Sequence, residues 1–512
     1  MIVEVDVRDL MSLLKGNVSL EELIDGLNMF GTPVDEVEEN TIRVEVAPNR
    51  LDMLSTEGIA RSLNGFFGFD TGLPVMSITS STFEVEVKGS SVRPFVGFST
   101  VHGVKFTEPS IKSIMQMQEK LHISAGRNRR KYSIGLYDLD RIKPPIRYVD
   151  MPLDEIHFVP LDEEEEMSGR EILEKTEKGK RYAHLLGDRA PVLIDARNRI
   201  MSMAPVINAD WCKVTEKTEN VFIDSTGTSP GTDALVSLIA TSLAERGGKI
   251  GVVIPGPTYL PKRVDVSFDE VRRIIGMDLK DSEIRQSLEK MRYAVENGAV
   301  VVPAYRLDVS SVRDVAEDAA IGYGYQRISQ EIPSSNLFGV PLLQAERENM
   351  YRRLLVGYGF TEVKTFVLTS SDLLELAGSP HIRVQNPKTQ EATTLRQSLL
   401  PGLLDILERN KDVEYPQRIF EVGPVFLPEQ KIAIAGMIAH RDSSFAEIKG
   451  VVDSFLSING IKLDWTSGSH PFFIEGRTAV AKGGVYGEVR LDLASRVGMP
   501  LAAFELILER DL

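Results

Sequence analysis

Four acidic side chains between Asp308 and Asp318 have a spacing suited to binding a divalent cation. Asp314, Glu317 and Asp318 follow one another at i, i+3 and i+4, which places three carboxylates on one face of a helix. Asp308 precedes them by a short connection and could add an oxygen ligand for a hard cation such as Mg²⁺. Alternatively, Ser311 and Asp314 form a capping box while Glu317 and Asp318 are solvated, and the spacing alone favours this interpretation.

The densest group of basic residues is formed by Arg127, Arg129, Arg130 and Lys131. Such a group could bind the phosphates of a nucleic acid. It could equally be a solvated strand edge whose charges oppose aggregation. The chain has 59 basic and 74 acidic residues and a formal net charge of -15. This balance excludes a protein that grips nucleic acid over its whole surface, so any RNA contact must be local.

Several other chemistries are excluded by the residues that the sequence lacks. The single cysteine, Cys212, rules out an internal disulfide framework, and the lack of cysteine pairs or a closely spaced histidine pair removes the common zinc patterns. The sequence contains no Walker loop and no Rossmann glycine fingerprint. The acidic run from Asp162 to Glu166 is predicted to be a solvated loop, because consecutive carboxylates point in different directions.

The elements that would carry these residues begin with a small α/β unit over residues 1–80. Ser19 and Glu22 predict a capping box before a helix that Gly31 is placed to end. The segment TIRVEVAPNR alternates apolar and polar residues, which predicts a strand. From residue 83 to 256 the pattern changes to short strands and turns, such as FEVEVKG, GFSTVHGVKF and APVLIDARNRIMSM. This second domain is predicted to be mixed and β-rich.

Two further domains are predicted after a proline-bearing linker. Residues 262–332 contain FDEVRRIIGMDLKDSEIRQSLEKM, which predicts two helices around a Gly-Met-Asp turn and a small helical domain that carries the acidic residues. Residues 340–512 begin with a helix and continue with strands such as QRIFEVGPVFL and KIAIAGMIAH. Helices on a largely antiparallel sheet are typical of an α+β domain. A chain of 512 residues is too long for one core, so the predicted fold class is multidomain α+β.

The sequence also favours a cytoplasmic protein in a reducing compartment. The N-terminal segment has no basic stretch followed by an apolar run, and no run of about 18 apolar residues occurs elsewhere. A single cysteine is consistent with that compartment. We therefore expect no membrane contact.

Segments along nearly the whole chain resemble the β subunit of phenylalanyl-tRNA synthetase, a class II aminoacyl-tRNA synthetase, in its shorter archaeal and eukaryotic type. The longest is YRLDVSSVRDVAEDAAIGYGY, from Tyr305 to Tyr325. The other matching segments are VAPNRLDMLSTEGIAR, GRNRRKYSIGLYDLDRIKPPIRY, RIMSMAPVINAD, NVFIDSTGT, LRQSLLPGLLDILERNK and QRIFEVGPVF. The resemblance implies an α subunit as partner in an α₂β₂ heterotetramer, tRNA(Phe) as RNA partner and ATP as a substrate of the assembly.

The resemblance also gives the acidic residues and the last domain a role. It implies that Asp308, Asp314, Glu317 and Asp318 bind Mg²⁺ shared with the α subunit, in a small winged-helix-like domain. The last domain resembles a class II synthetase module, yet no arginine stands between Gly498 and Phe504, where ATP phosphates would be bound. Arg418, near the second-motif resemblance, is expected to be an interface or surface residue. The module is therefore predicted to be catalytically silent beside an active α subunit.

The second domain is implied to be an editing module that hydrolyses tyrosine wrongly attached to tRNA(Phe). By position its pocket would contain Ser202, Asn208, Asp224 and Thr226, with Leu193 as a wall. No cysteine or histidine stands among them, which favours direct attack by an oriented water. Alternatively, the segment from Asp224 is an ordinary strand-ending turn, Asn208 is a turn residue and Leu193 is a core residue.

The basic group could then position phosphates of the tRNA acceptor end, or it could equally be a solvated strand edge. Two rival functions are a free-standing tRNA-editing deacylase and a non-catalytic scaffold paralogue. The acidic cluster and the long synthetase-like domain argue against the first rival. The segments around Ser202 and Thr226 argue against the second.

Overall fold

The computed structural model of the protein describes residues 1–80, 83–296, 298–335, 337–378 and 382–508. They form two compact units, Met1–Ile332 and Pro333–Leu512. Within the described residues there are fifteen α-helices and several separate sheets. The predicted multidomain α+β fold class is confirmed. No helix in the described part of the chain is long and apolar enough to cross a bilayer.

The first unit begins with a three-stranded antiparallel sheet and three helices. Its elements are β1 (Ile2–Asp6), α1 (Val7–Leu13), α2 (Leu20–Phe30), β2 (Val34–Glu38), β3 (Thr41–Glu45) and α3 (Thr56–Phe66). The predicted capping box opens α2, since the Ser19 N–H donates to Glu22 at 2.7 Å and Ser19 Oγ accepts from the Glu22 N–H at 3.2 Å. Gly31 ends α2 with φ 93. Local sequence was sufficient to predict both ends of this helix.

Two five-stranded sheets follow in the first unit, with the strand orders β13-β12-β11-β8-β5 and β4-β15-β6-β14-β7. The elements are β4 (Ile78–Ser80), β5 (Val85–Gly89), β6 (Phe95–His102), α4 (Glu108–Ile123), β7 (Tyr132–Asp138), β8 (Ile146–Pro152), β9 (His157–Phe158), β10 (Met167–Ser168), α5 (Gly169–Lys175), α6 (Glu177–Tyr182), β11 (Arg189–Ile194), β12 (Ile200–Met203), β13 (Ile207–Asn208), β14 (Asn220–Gly227), α7 (Thr232–Ala244) and β15 (Lys249–Val252). The strands predicted in this region form, and α4, α5, α6 and α7 make the region mixed.

Strand β14 is buried on both faces, and its residues alternate between two cores. Val221 and Ile223 pack in one core with residues of α4 and α7. Phe222 packs in the other core with residues of the second sheet, such as Val192 and Met201. Because side chains alternate along a strand, Asp224 and Thr226 share the face of Phe222. The period of the strand therefore turns the polar residues toward the second sheet.

The first unit ends with three helices and a small sheet of order β16-β18-β17. The elements are β16 (Lys262–Asp265), α8 (Phe268–Ile275), α9 (Asp281–Lys290), β17 (Ala294–Glu296), β18 (Ala299–Val302) and α10 (Val312–Tyr323). The two predicted helices form and are separated at Gly276, which has φ 77. The sequence patterns predict only helices here. They do not reveal the sheet, because its strands are three or four residues long, too short for a visible alternation.

The second unit is built on a seven-stranded sheet of order β19-β23-β24-β28-β27-β26-β25. All its neighbouring strands are antiparallel except β19 and β23. The elements are α11 (Leu343–Gly357), β19 (Thr361–Glu362), β20 (Leu368–Thr369), α12 (Ser371–Glu375), β21 (Ile382–Arg383), β22 (Thr394–Leu395), α13 (Leu400–Arg409), β23 (Gln417–Leu427), β24 (Glu429–Ala439), α14 (Phe445–Ile458), β25 (Thr466–Ser467), β26 (Phe473–Ala481), β27 (Gly484–Val489), α15 (Leu491–Val497) and β28 (Leu501–Leu508). The predicted antiparallel sheet with flanking helices is confirmed.

Candidate functional site

A cavity of about 460 Å³ lies between the two five-stranded sheets of the first unit. Strands β7 and β14 of one sheet and β12 and β13 of the other supply polar side chains to its wall. These side chains are Ser133, Tyr137, Ser202, Asn208 and Asp224. Helix α4 closes another side with residues such as His122. These strands therefore bring to the cavity three of the pocket residues implied by the family resemblance, Ser202, Asn208 and Asp224, together with Ser133 and Tyr137, which were not predicted.

Tyr137 lies at the centre of this polar group. Its phenol donates to Asp224 Oδ1 at 2.6 Å. The hydroxyl oxygen of Tyr137 also lies 2.9 Å from Ser202 Oγ and 3.5 Å from Asn208 Oδ1. The Tyr137 side chain is 1% exposed, so these contacts are shielded from bulk water. One phenol thus connects residues from three strands. No local motif marks this role, because it depends on how the sheets face each other.

Gly135 opens the cavity to the Asp224 carboxylate. It stands directly opposite Asp224 in the pairing of β7 with β14. A Cβ atom at Gly135 would lie 2.2 Å from Asp224 Oδ1 and 2.3 Å from the Tyr137 hydroxyl. Real side chains do not make such short contacts, so any larger residue would displace the carboxylate or the phenol. Glycine is required here by the close approach.

Burial changes the acid–base chemistry of Asp224. The loss of hydration raises the pKa of Asp224 to about 6, against the hydrogen bond from Tyr137 and the charge of Arg93, which both favour the ionised form. Burial and the neighbouring Asp224 raise the pKa of Tyr137 well above its ordinary value, so the phenol stays protonated. Asp224 therefore exchanges a proton close to neutral pH, as a general acid or base requires.

Thr226 lies behind the cavity wall instead of in it. Its hydroxyl accepts from Arg93 Nε at 2.8 Å and lies 2.9 Å from the hydroxyl of Ser133, which lines the cavity. Arg93 also donates to the Thr226 carbonyl at 2.7 Å. The arrangement lets Thr226 hold Ser133 in place. Sequence reasoning missed both Arg93 and Ser133.

Leu193 is fully buried in the core of the second sheet. It pairs with Ser202 across β11 and β12 but does not itself line the cavity. In the structure Leu193 is therefore a core residue, as in the alternative interpretation, and not a wall of the pocket.

His122 lines the cavity but has no free ring nitrogen. Its Nε2 atom accepts from the Ile134 N–H at 2.9 Å, which leaves the proton on Nδ1, 3.3 Å from Glu119 Oε2. Burial lowers the pKa of His122 to about 4, so the ring is neutral at pH 7. His122 is the one histidine among the described lining residues, and none of them is a cysteine. The cavity therefore favours attack by water over a covalent route.

The predicted basic group divides in the structure. Arg129 is buried and donates to the Val206 carbonyl at 2.9 Å, to the Pro205 carbonyl at 3.2 Å and to Glu119 at 3.1 Å. These contacts engage its guanidinium inside the protein and leave it unavailable to a phosphate. Its neighbours remain at the surface: Arg127 and Arg130 are exposed, and Lys131 is half-buried.

The four acidic residues near α10 are not gathered into one set. Asp308 accepts two hydrogen bonds from Arg306, at 2.9 and 2.8 Å. Asp318 accepts from the same guanidinium at 2.7 Å and from the Tyr293 hydroxyl. Both carboxylates are almost fully buried, as 8% of the Asp308 side chain and 6% of the Asp318 side chain are exposed. The guanidinium of Arg306 already pairs with both of them.

The other two acids differ again in their surroundings. Asp314 accepts from the backbone N–H groups of Ser310 and Ser311, both at 2.8 Å, and caps α10. Glu317 is exposed. Across the described residues, no group of three or more histidine, cysteine, aspartate or glutamate side chains is arranged to hold a metal ion. The side chains of the described residues alone therefore do not form a donor set that fits Mg²⁺.

In the second unit Arg418 is held by other residues of the unit. It donates to Glu447 Oε1 at 2.6 Å and to the Tyr358 carbonyl at 3.4 Å. The strand β28, which follows Gly498, carries no arginine through Phe504. The Arg418 side chain is 33% exposed, and its role as an interface or surface residue stays a prediction.

Comparison with known proteins extends these observations to the whole chain. Three family models match: the B3/4 domain over residues 104–246, the tRNA synthetase B5 domain over residues 264–325 and the phenylalanyl tRNA synthetase beta chain CLM domain over residues 328–508. The phenylalanine–tRNA ligase β subunit of Archaeoglobus fulgidus is 38% identical, covering 95% of this chain and 94% of that protein. The β subunit of Thermococcus kodakarensis is 36% identical, over 99% and 98%.

A solved structure is similar in fold as well. An N-terminal fragment of the phenylalanyl-tRNA synthetase β subunit from Pyrococcus horikoshii aligns with a TM-score of 0.60 and 36% identity. The alignment covers 63% of this chain and 99% of the fragment. Together with the full-length relatives, this confirms the predicted resemblance: the chain belongs to the family of phenylalanine–tRNA ligase β subunits.

Proposed function

We propose that the cavity of the first unit hydrolyses tyrosine esterified to tRNA(Phe), while an α subunit performs the ATP-dependent attachment of phenylalanine. The observation that carries the proposal is the phenol of Tyr137, which joins Ser202, Asn208 and Asp224 at the wall of one cavity. A β subunit of a tRNA ligase implies an α subunit and a tRNA as partners. We further propose the α₂β₂ stoichiometry and the four-domain division at residues 1–80, 83–256, 262–332 and 340–512.

The side chains suit a direct hydrolysis of the ester. Above pH 6 Asp224 is ionised and can accept a proton from an attacking water. The hydroxyl of Ser202 and the amide of Asn208 can orient that water and the ester carbonyl. A site that hydrogen-bonds the tyrosine hydroxyl rejects phenylalanine, which cannot make this bond, by about 10⁴-fold or more. The polar wall therefore supports selective removal of tyrosine.

The test is Tyr-tRNA(Phe) hydrolysis by the full chain expressed with its α subunit. We expect Asp224→Asn and Asn208→Ala to reduce the hydrolysis rate at least 10-fold without changing phenylalanylation. Asn220→Ala is the matched control, because Asn220 lies on β14 but outside the cavity and bonds Asp140 at 2.8 Å. Unchanged hydrolysis in both cavity variants would overturn the assignment. Phenylalanylation by this chain alone would contradict the proposal that the second unit is catalytically silent.

For magnesium, we propose that Glu317 is the ligand that this chain offers to an ion shared with the α subunit. Asp308 and Asp318 are paired with Arg306 and Asp314 caps α10, whereas the Glu317 carboxylate is exposed. The other ligands then come from the partner or from water. Glu317→Gln should raise the Mg²⁺ concentration that half-maximal phenylalanylation requires, and Glu270→Gln on α8 should leave it unchanged.

A further inference from the structure

Another cavity of the first unit, about 400 Å³ in volume, opens beside the turn between β11 and β12. Four basic residues line it: Arg141 and Lys143 follow β7, and Arg197 and Arg199 belong to the turn. The Ala196 N–H donates to the Lys143 carbonyl at 2.9 Å, which joins the two segments. We call the cavity lined by these four residues the basic cleft. It shares no described lining residue with the cavity between the two sheets, so it is a separate site.

One wall of the basic cleft is a stack of two flat side chains. The Arg199 guanidinium carbon lies 3.7 Å from the centre of the Trp211 ring, which also lines the cleft. Arg199 Nε and Nη2 donate to Asp195 Oδ2 at 3.1 and 2.7 Å, and Nη2 also donates to the Arg141 carbonyl at 2.8 Å. These bonds fix the guanidinium plane, yet the Arg199 side chain is 36% exposed. A fixed and accessible guanidinium can stack a further planar ring, such as a nucleobase.

Two other cations of the basic cleft have no anionic partner within the described part of the chain. Lys143 and Arg197 are exposed, and no described carboxylate forms an ion pair with either side chain. Asp140 is the one acid among the described lining residues, and its Oδ1 atom accepts from the Asn220 amide at 2.8 Å. In a chain of net charge -15, two unpaired cations on adjoining segments attract an anion. Their ammonium and guanidinium donors suit the oxygens of a phosphate.

We propose that the basic cleft binds a nucleoside phosphate, with the phosphate at Lys143 and Arg197 and the base stacked on Arg199. Inorganic phosphate would use the two cations and leave the stacking surface empty, whereas an uncharged ring would leave the cations unpaired. A nucleoside phosphate uses both parts of the site. It is either a free nucleotide or one nucleotide of an RNA strand, because both carry a phosphate beside a base. The proposal concerns a separate site and does not depend on the proposed hydrolysis.

The test is a binding titration of the full chain, expressed without the α subunit, with adenosine monophosphate and with a short fluorescent oligouridylate. The double variant Lys143→Ala, Arg197→Ala should bind at least about 10-fold more weakly than the wild type, because it loses two charge-assisted contacts. Arg8→Ala, Lys105→Ala is the matched control, since it removes the same charges from exposed positions of the first unit outside the cleft.

The two probes distinguish the sources of the ligand. Binding of adenosine monophosphate identifies a free nucleotide, and binding of the oligouridylate alone identifies an RNA strand. The proposal is overturned if the wild type binds neither probe, or if the double variant binds as tightly as the wild type. It is also overturned if the control loses as much affinity as the double variant.

Two further variants test the stacking. Arg199→Lys keeps a cation beside Asp195 but lacks the planar face, so affinity for the probe that binds should fall about 5- to 10-fold. Ribose 5-phosphate, which has no base, should bind Arg199→Lys and the wild type equally. Of the two tryptophans, Trp465 lies in the second unit, so the probe should change the fluorescence of the wild type but not of Trp211→Phe. Full affinity in Arg199→Lys, or a fluorescence change that persists in Trp211→Phe, would overturn the site as proposed.

Discussion

At the scale of single residues, the cavity depends on one hydrogen bond between two buried groups. The Tyr137 phenol donates to Asp224 and thereby stabilises its ionised form, while burial acts in the opposite direction. The balance leaves the pKa of Asp224 at about 6. The proposed proton transfer in the physiological range therefore depends on the phenol as well as on the carboxylate.

We predict that Tyr137→Phe moves the pH profile of hydrolysis upward. Removing the donor takes away a bond that favours the carboxylate, so the pKa of Asp224 rises above 6. The ionised form is the proposed base. As the pH is lowered, activity is therefore lost at a higher pH in Tyr137→Phe than in the wild type. The measurement is kcat/KM for Tyr-tRNA(Phe) from pH 5 to 8. Tyr259→Phe is the control, since its hydroxyl bonds Ser99 at 2.6 Å outside the cavity. An unshifted profile in Tyr137→Phe contradicts the prediction.

The sequence led to some of these residues and not to others, for a physical reason. Ser202, Asn208 and Asp224 were inferred from the family resemblance, and the structure brings them to one cavity. Tyr137 lies within a matching segment, but a tyrosine in a buried strand has no local signal that distinguishes a polar role from packing. Arg129 shows the opposite error, because an arginine in a basic run is expected at the surface and here is buried. Burial and register are tertiary properties that spacing does not encode.

At the scale of elements, the pairing of β7 with β14 sets the shape of the cavity. Residues directly opposite on neighbouring strands are close enough to interact. Gly135 faces Asp224 in this register and leaves room for the carboxylate and the phenol to meet. A shift of one residue would turn Asp224 to the opposite face of the sheet. The site is thus a consequence of strand register.

We predict that Gly135→Ala reduces hydrolysis about 10- to 100-fold and destabilises the first unit by about 1–3 kcal/mol. The added methyl group would overlap Asp224 Oδ1 and the Tyr137 hydroxyl, so one of them must move. Hydrolysis rates and urea unfolding measure the two effects. Gly187→Ala should change neither, because a Cβ there meets no atom within 4 Å. Wild-type hydrolysis in Gly135→Ala would show that the cavity does not need this contact.

The acidic residues of helix α10 differ in their surroundings. Asp314 and Asp318 stabilise the fold, whereas Glu317 is exposed and available to bind. Local sequence correctly suggested the capping box of Ser311 and Asp314. It wrongly suggested that Asp318 is solvated, because the burial of this face depends on Arg306 and Tyr293, which approach from other elements. The small sheet of this region was missed for a related reason. Its strands are too short to show an alternating pattern, and they depend on packing against other elements.

We predict that Asp318→Ala destabilises the first unit by about 3–5 kcal/mol, because it leaves the buried Arg306 without one of its two partners. Glu317→Ala should change the free energy of unfolding by less than about 0.5 kcal/mol, since its side chain is exposed. Both are measured by urea unfolding of the full chain with a chelator present. Equal effects of the two substitutions would contradict a structural role for Asp318.

At the scale of the whole molecule, the second unit begins with an exposed apolar segment. Exposure reaches 90% for Leu337, 94% for Phe338 and 88% for Val340. The described residues of 333–342 form neither helix nor strand. Contiguous apolar side chains at a surface mark interaction sites, which is consistent with a chain that functions beside a partner. The family assignment makes the α subunit the expected partner.

We predict that chymotrypsin cuts the isolated chain first at Leu337 or Phe338, because exposed backbone outside regular structure is the preferred site of cleavage. The products should correspond to the two compact units. Binding of the α subunit should slow this cut at least 10-fold if it covers the segment, while cleavage of denatured chain stays unaffected. Mass spectrometry of timed digests identifies the first cut. An equal rate of cutting with and without the α subunit would place the interface elsewhere, and the exposed apolar residues would then need another partner.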